Sequence, residues 1–331
     1  QHLGELKEGA ELAAPKPKDV IPMQREDASK APPLSTIVLL EEFEHAAKRV
    51  MAQRAWTYVS SSSNNEETLQ GYKNIWSSLK FRPRVLRNVT TVDPSTSVLS
   101  QRCRIPVFIP PTGVVGSVHP DGELLLSRAA ARSGVHYCVS SATTKSHEAI
   151  TERFEAEKRE AGAAAAAAAA ADQCCLFFQL YVNADRKITQ EKLREVQRLG
   201  YKGLFLTVDT NVIGKRWQDR KMQALELLDA GLNDGVEIGG RPAAGTISIS
   251  LNWDDIAWIR ESWPGPLVLK GIQHADDAKR ALDIGLQGVY LSNHGGRQMR
   301  SAPSSFETLL DIREQYPEVM EQMEVFVDGG F

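Results

Sequence analysis

Seven short apolar runs, each giving way to small or polar residues and separated by stretches of helical composition, constrain this chain most. They are residues 106–109, 135–139, 176–180, 203–208, 267–269, 288–291 and 325–327. Short runs that are apolar throughout read as strands buried on both faces, the condition of a parallel sheet covered by crossover helices. Segments 123–132, 190–199 and 275–284 have the helical period that such crossovers need. A doubly wound sheet and an eight-stranded barrel short of one strand both satisfy the pattern.

Around this frame the chain divides into an arm and one folded unit. Residues 1–35 hold several prolines and mixed charges without an apolar period, so they read as a linker, and 36–331 as the folded unit. Leu39, Leu40, Phe43, Ala46, Ala47 and Val50 recur at helical spacing, and 60–65 is a polar turn cluster. Two insertions interrupt the rhythm. Residues 155–171 are charged and end in the alanines 163–171, with no amphipathic pattern, which predicts a surface excursion. Residues 211–250, rich in glycine, are too long for a plain connection and read as a lid-like or disordered loop.

Composition narrows the function classes. A net charge of −3 gives no electrostatic reason to expect nucleic acid. No run approaches the ~20 apolar residues of a membrane span. Cys103, Cys138, Cys174 and Cys175 form no Cys-x-x-Cys pair and have no histidine at metal-ligand spacing, so they read as buried free thiols.

The ends of the runs carry the chemistry. They are Pro111, Thr112 and Gly113; Ser140 and Ser141; Gln179 and Tyr181; Thr207 and Asp209; Lys270 and Gly271; Ser292 to Arg297; and Asp328, Gly329 and Gly330. Taken singly, each has a plain structural reading: Asp209 a helix cap, Lys270 a solvated amine, Tyr181 a packed ring, His294 a core histidine. Their convergence at one end of the strands, where β/α barrels build their sites, favours the chemical one. His294 is a base, and Asp209 orients its ring and stabilises the imidazolium. Arg297 offers a planar fork for a carboxylate. Gly295 and Gly296 let backbone approach a ligand closely.

These residues resemble the FMN-dependent family that oxidises L-2-hydroxy acids, and most of all the flavin domain of its haem-linked lactate dehydrogenases. The resemblance runs over roughly residues 39–330. It rests on Phe81-Arg82-Pro83-Arg84, Pro111-Thr112-Gly113, Phe178-Gln179-Leu180-Tyr181-Val182, Thr207-Val208-Asp209-Thr210, Leu269-Lys270-Gly271, Ser292 to Gln298 and Val327-Asp328-Gly329-Gly330. It implies an α/β fold, the (β/α)8 TIM barrel, filled by FMN. By the same resemblance His294 is the base paired with Asp209, and Arg297 and Tyr58 hold the substrate carboxylate. Tyr181 stands near the substrate hydroxyl, Arg216 is a second site arginine, and Lys270 faces the flavin. Pro111, Thr112, Gly113, Ser140, Gln179, Thr207 and Ser292 line the flavin, with Asp328, Gly329 and Gly330 near its ribityl chain.

The resemblance implies L-lactate as substrate, haem b on an upstream domain, and cytochrome c or oxygen as acceptor. It also implies a homotetramer when the barrel is complete, and the mitochondrial intermembrane space, with the cytoplasm as alternative. Ala142 stands where the family has a larger side chain, Asn211 where it has proline or a small residue, and Val59 where tyrosine is common. The family continues past Asp-Gly-Gly with an eighth strand and a phosphate-gripping turn. The expectation here is therefore a barrel lacking that strand and the C-terminal helices, with weak FMN binding. A non-catalytic barrel is the alternative function.

Overall fold

The computed structural model describes residues 31–163, 174–229 and 247–329. Its first strands, β1 (Thr96–Val98) and β2 (Gln101–Cys103), form an antiparallel hairpin. Six more make one parallel sheet in sequential order: β3 (Tyr137–Ser140), β4 (Leu176–Leu180), β5 (Leu204–Thr207), β6 (Leu267–Ile272), β7 (Gly288–Leu291) and β8 (Glu324–Val327). Ile109 adds a parallel bridge to Tyr137, so all seven apolar runs become consecutive staves. The run at 106–109 supplies only that bridge, because Pro106, Pro110 and Pro111 have no N–H to give a ladder.

Strand order decides between the two architectures left open by the sequence. A doubly wound sheet reverses its order part-way; this one does not, and it curls until Phe108 on the first stave meets Phe326 on the last, ring centroids 5.7 Å apart. The fold is a TIM barrel with seven staves among the described residues, and β8 has no ladder partner on its outer side there.

The period-two alternation of the strands separates two cores. Tyr137, Val139, Leu176, Phe178, Leu204, Leu206, Leu267 and Leu269 face outward and pack against the helices. Cys138, Phe177, Phe205, Val268 and Tyr290 face inward, joined by Phe108 and Phe326. The hairpin closes the bottom of this inner core with Val98, Leu99 and Cys103, and the Leu99 N–H donates to both Glu324 carboxylate oxygens, at 2.8 and 2.9 Å. Each fully buried Leu or Phe contributes about 1.5–3 kcal/mol, so the two cores dominate stability.

Eleven helices are described: α1 (Leu40–Val50), α2 (Gln53–Ser60), α3 (Glu67–Ser78), α4 (Glu123–Ser133), α5 (His147–Ala163), α6 (Arg186–Arg198), α7 (Trp217–Asp229), α8 (Asp255–Ser262), α9 (Ala275–Asp283), α10 (Ser305–Gln315) and α11 (Pro317–Gln322). Several start on side-chain caps: Asp185 accepts from the Lys187 N–H, and Ser304 with Glu307 forms a capping box. No described helix is long and apolar enough to cross a membrane. All four cysteines are free, and three are buried.

Several sequence expectations need correction. The charged part of the first insertion is not a surface excursion: α5 runs through it to Ala163 and buries Phe154 and Glu157. Glu157 is tolerated because Arg132 (2.6 Å), Arg153 (2.8 Å) and Arg128 (3.8 Å) surround it. Residues 217–229 of the second insertion are helix α7, packed on α2 with Arg54 paired to Glu226 at 2.6 Å. The turn cluster at 60–65 is mostly interior: Ser61, Ser62 and Ser63 are buried. Helix α1 forms as expected, yet none of its residues is buried. The linker up to residue 30, the alanines from 164 to 171 and the glycine-rich 230–246 lie outside the described residues.

Candidate active site

Two residues beyond each inward core side chain of β3 to β8, on the same face of its strand, lies a polar one. Above Cys138 comes Ser140, above Phe177 Gln179, above Phe205 Thr207, above Val268 Lys270, above Tyr290 Ser292 and above Phe326 Asp328. Strand alternation alone thus stacks a polar layer on the aromatic one at the C-terminal mouth. The layer is hydrogen-bonded sideways. The Ser140 hydroxyl donates to Gln179 Oε1 at 3.0 Å, and Gln179 Nε2 donates to Thr207 Oγ1 at 2.8 Å. Lys270 Nζ donates to Ser292 Oγ at 3.0 Å and lies 3.3 Å from Asp328 Oδ2. Burial pulls the Lys270 pKa down, but Asp328 and Asp209 outweigh it and hold the amine charged.

Over this layer stands the His294–Asp209 pair, with Nδ1 at 3.0 and 3.2 Å from the two carboxylate oxygens. A carboxylate only accepts, so Nδ1 carries the proton and Nε2 is left basic. The Tyr181 hydroxyl, 3.3 Å away, donates to Nε2. Burial pushes the Tyr181 pKa up to about 12, so it is a neutral donor at ordinary pH. Burial would also raise Asp209, whose side chain is 2% exposed. The His294 hydrogen bond and charge, with Lys270 and the Thr210 hydroxyl (2.8 Å to Oδ1), override it and hold the carboxyl below its ordinary range. His294 adopts a left-handed backbone (φ 58°), followed by Gly295 and Gly296 at φ 65° and 72°, a turn that lifts the ring off the end of β7.

Beside the dyad, Tyr58 from α2 brings two arginines together: the guanidinium carbons of Arg297 and Arg216 lie 4.8 and 5.0 Å from its ring centroid. Arg297 Nη1 is engaged by the carbonyls of Tyr58 (2.8 Å) and Ser61 (2.9 Å), leaving the Nε–Nη2 edge to meet an anion. Arg216 Nη1 is buried without a partner among the described residues. Burial and the like charge of Arg216 lower the Arg297 pKa, which marks a place where an anion would relieve repulsion.

A family model described as FMN-dependent dehydrogenase matches residues 47–331. The chain belongs to that family. It is 33% identical over 311 residues to the L-lactate dehydrogenase (cytochrome) of Wickerhamomyces anomalus, covering 92% of this chain but 52% of that protein. It is 34% identical over 312 residues to human 2-hydroxyacid oxidase 1, covering 90% of this chain and 79% of the oxidase. The chain therefore spans about half the length of that dehydrogenase. The recombinant flavin-binding domain of baker's yeast flavocytochrome b2 superposes with a TM-score of 0.77 at 33% identity, covering 92% of this chain and 71% of that one. Mandelate oxidase with (S)-4-hydroxymandelic acid gives 0.74 at 26%, covering 89% and 80%.

FMN is the family's cofactor, and the polar layer has the chemistry to take it. A buried cation, an amide and three hydroxyls offer donors and acceptors to a flat heteroaromatic ring. Among the described residues Asp328 Oδ1 is buried without a hydrogen bond, which a ligand hydroxyl would satisfy. At the rim, Gly113 has no Cβ, and one there would lie 3.2 Å from the Ala142 Cβ.

The structure thus brings Ser140, Gln179, Thr207, Lys270, Ser292 and Asp328 into one layer and His294, Asp209 and Tyr181 into contact above it. Tyr58, Arg216 and Arg297 cluster beside them. Pro111, Thr112 and Gly113 form the rim, with the Val114 N–H bonded to the Ala142 carbonyl at 2.9 Å. Gly329 gives its carbonyl to the Trp76 indole at 2.6 Å, and Gly330 lies outside the described residues. Sequence reasoning gave no role to Thr210, Asn293 or Gln298. Asn293 accepts from the Gly296 N–H at 3.1 Å and so shapes the histidine turn. Thr210 and Gln298 stood inside recognised motifs, which was the only signal available for them.

Proposed function

We propose that this chain oxidises an L-2-hydroxy acid to the 2-oxo acid with FMN as cofactor. The observation that carries the reading is His294, with Nδ1 held by Asp209 and Nε2 turned to Tyr181, beside two arginines and above a polar layer built round Lys270. Arg297, Tyr58 and Arg216 hold the substrate carboxylate. Tyr181 orients the hydroxyl, and His294 Nε2 accepts one of the two protons released, with Asp209 stabilising the imidazolium. FMN, when bound, supplies the acceptor for the two electrons and the second proton. Ser140, Gln179, Thr207, Lys270, Ser292 and Asp328 would hold it, with Pro111 to Gly113 at its rim and Gly329 and Gly330 near its ribityl chain.

L-Lactate is the reference substrate, and the small, exposed Ala142 leaves room for larger side chains. Cytochrome c, reached through haem b on an upstream domain, or oxygen is the acceptor. The first would place the protein in the mitochondrial intermembrane space as a homotetramer. The chain divides into an arm over 1–35 and one FMN barrel over 36–331.

The test is anaerobic flavin bleaching of the FMN-loaded chain. L-Lactate and a larger acid such as L-mandelate should bleach it, and the D-enantiomers should not. A flavin-replete sample that stays yellow with every L-acid overturns the reading. Failure to retain FMN at all supports the second reading, a barrel without a working cofactor site. Oxygen uptake compared with cytochrome c reduction separates the acceptors.

A further inference from the structure

His294 and Asp209 sit on different loops, one after β7 and one after β5, and their ring-to-carboxylate contact depends on how those loops are joined. One side chain makes much of that junction. Gln298 Nε2 donates to the Asp209 carbonyl at 2.6 Å and to the Val212 carbonyl at 2.9 Å, and Gln298 Oε1 accepts from the Gly214 N–H at 3.0 Å. Both amide hydrogens and the amide oxygen are thus used on the backbone of a single six-residue stretch. The loop residues 209–214 have no strand to pair with there, so the primary amide does for them what a ladder would do.

The contact is permitted by Gly214, where a Cβ would lie 2.7 Å from the Gln298 carbonyl oxygen and closer still to that of Arg297. On its other side the junction meets a third segment. Asn64 N–H donates to the Lys215 carbonyl at 2.8 Å, and Ser63 gives its N–H and hydroxyl to the Gly296 carbonyl, both at 2.9 Å. Arg216 follows Gly214 by two residues, so the same stitch sets where its guanidinium starts.

We propose that Gln298 is a positioning residue that fixes the Asp209 loop against the His294 loop and so holds the base and its carboxylate in register. The inference rests on the reading of His294 as the base but makes a separate claim, that the register depends on one amide outside the dyad. Gln298 touches neither Nδ1 nor the carboxylate; it acts through the main chain. The other charged or titratable groups facing the dyad are Lys270 from β6, Tyr181 after β4, Tyr58 from α2, Arg216 and Arg297. Of these only Arg216 starts from the segment that Gln298 stitches.

The experiment compares Gln298→Glu and Gln298→Met with the parent 331-residue chain. Glutamate keeps the shape and an acceptor for Gly214 but loses both donors, and methionine keeps only the volume. The first readout is the His294 Nδ1–H proton resonance by NMR, which needs neither flavin nor turnover. Looser contact with Asp209 weakens that hydrogen bond, so the resonance should move upfield and exchange faster with water in both variants. The second readout is kcat of the FMN-loaded chain, expected to drop roughly ten- to a hundredfold as the base loses its alignment. A merely structural glutamine would lower Tm and leave the resonance where it is. An unchanged His294 Nδ1–H resonance in a folded variant overturns the proposal. Absence of turnover in the parent chain would count against the proposed oxidation and leave the NMR result standing. Should either variant not fold, the other carries the comparison. Should both unfold, Gln298 is a folding residue and the proposal is overturned.

Discussion

Gly271 makes room for Asp209. A Cβ at position 271 would lie 2.5 Å from the Asp209 carboxyl carbon and 2.9 Å from Oδ2, and the glycine holds φ 108°, which L side chains rarely adopt. It sits in the bulge between Lys270 and Ile272, and the carboxylate occupies the space that a side chain there would need. Gly271→Ala should therefore destabilise the chain by about 1–3 kcal/mol. It should also displace the dyad, read as a lower urea midpoint together with a shifted His294 NMR signal. An alanine variant with unchanged midpoint and signal would mean that the backbone relaxes freely there.

Asp209→Asn keeps the shape and removes the charge that stabilises the imidazolium. Activity should fall roughly a hundred- to ten-thousandfold in kcat, with KM moving far less. The same substitution has a signature in acid. Asp209 has a folded pKa below its ordinary 3.8, so the native state binds fewer protons than the unfolded one. Its contribution is present in full above that value and fades as pH drops through the depressed folded pKa. The stability gap between parent and variant should be open at neutral pH and narrow below about pH 4, measured by urea midpoints.

Ala142→Leu should close the room beside Gly113. With L-mandelate, kcat/KM should fall at least about tenfold while L-lactate changes by less than about threefold, since a pocket of this kind discriminates by 1–3 kcal/mol per misfitting group. Equal losses on both acids would place the substrate side chain elsewhere.

Leu99 is the stopper of the inner core, 3% exposed and held at a left-handed φ of 49°. Leu99→Ala should cost about 2–5 kcal/mol by leaving a cavity under Phe177. The His294 NMR signal, from the opposite end of the barrel, should not move. Calorimetry and NMR on one sample would check both halves of the statement.

Much of this was legible in the sequence because it follows from position along strands. Once 176–180 and 204–207 are inward-and-outward strands, Gln179 and Thr207 must share the face of Phe177 and Phe205. What escaped was long-range compensation. Ser61 to Ser63 look like a surface turn, yet Ser63 is satisfied by the carbonyls of Gly296 and Met299, more than two hundred residues away. Glu157 reads as solvated until α4 and α5 bring three arginines round it. Gln298 stood in plain view within a motif, but its partners are all main-chain atoms, which carry no residue code. The short helices α2 and α3 have too few apolar positions for their period to stand out.

The inner aromatic floor has a consequence for traffic through the site. Phe108, Phe177, Phe205, Tyr290 and Phe326 touch one another with centroids 5.5–6.2 Å apart, and the hairpin seals them from below. Nothing the size of a hydroxy acid passes through such a floor. On the proposed function, arrival and departure share the rim above this floor, so a departing oxo acid has to clear the arginines before the next hydroxy acid docks, and accumulating product should slow turnover by standing in the doorway.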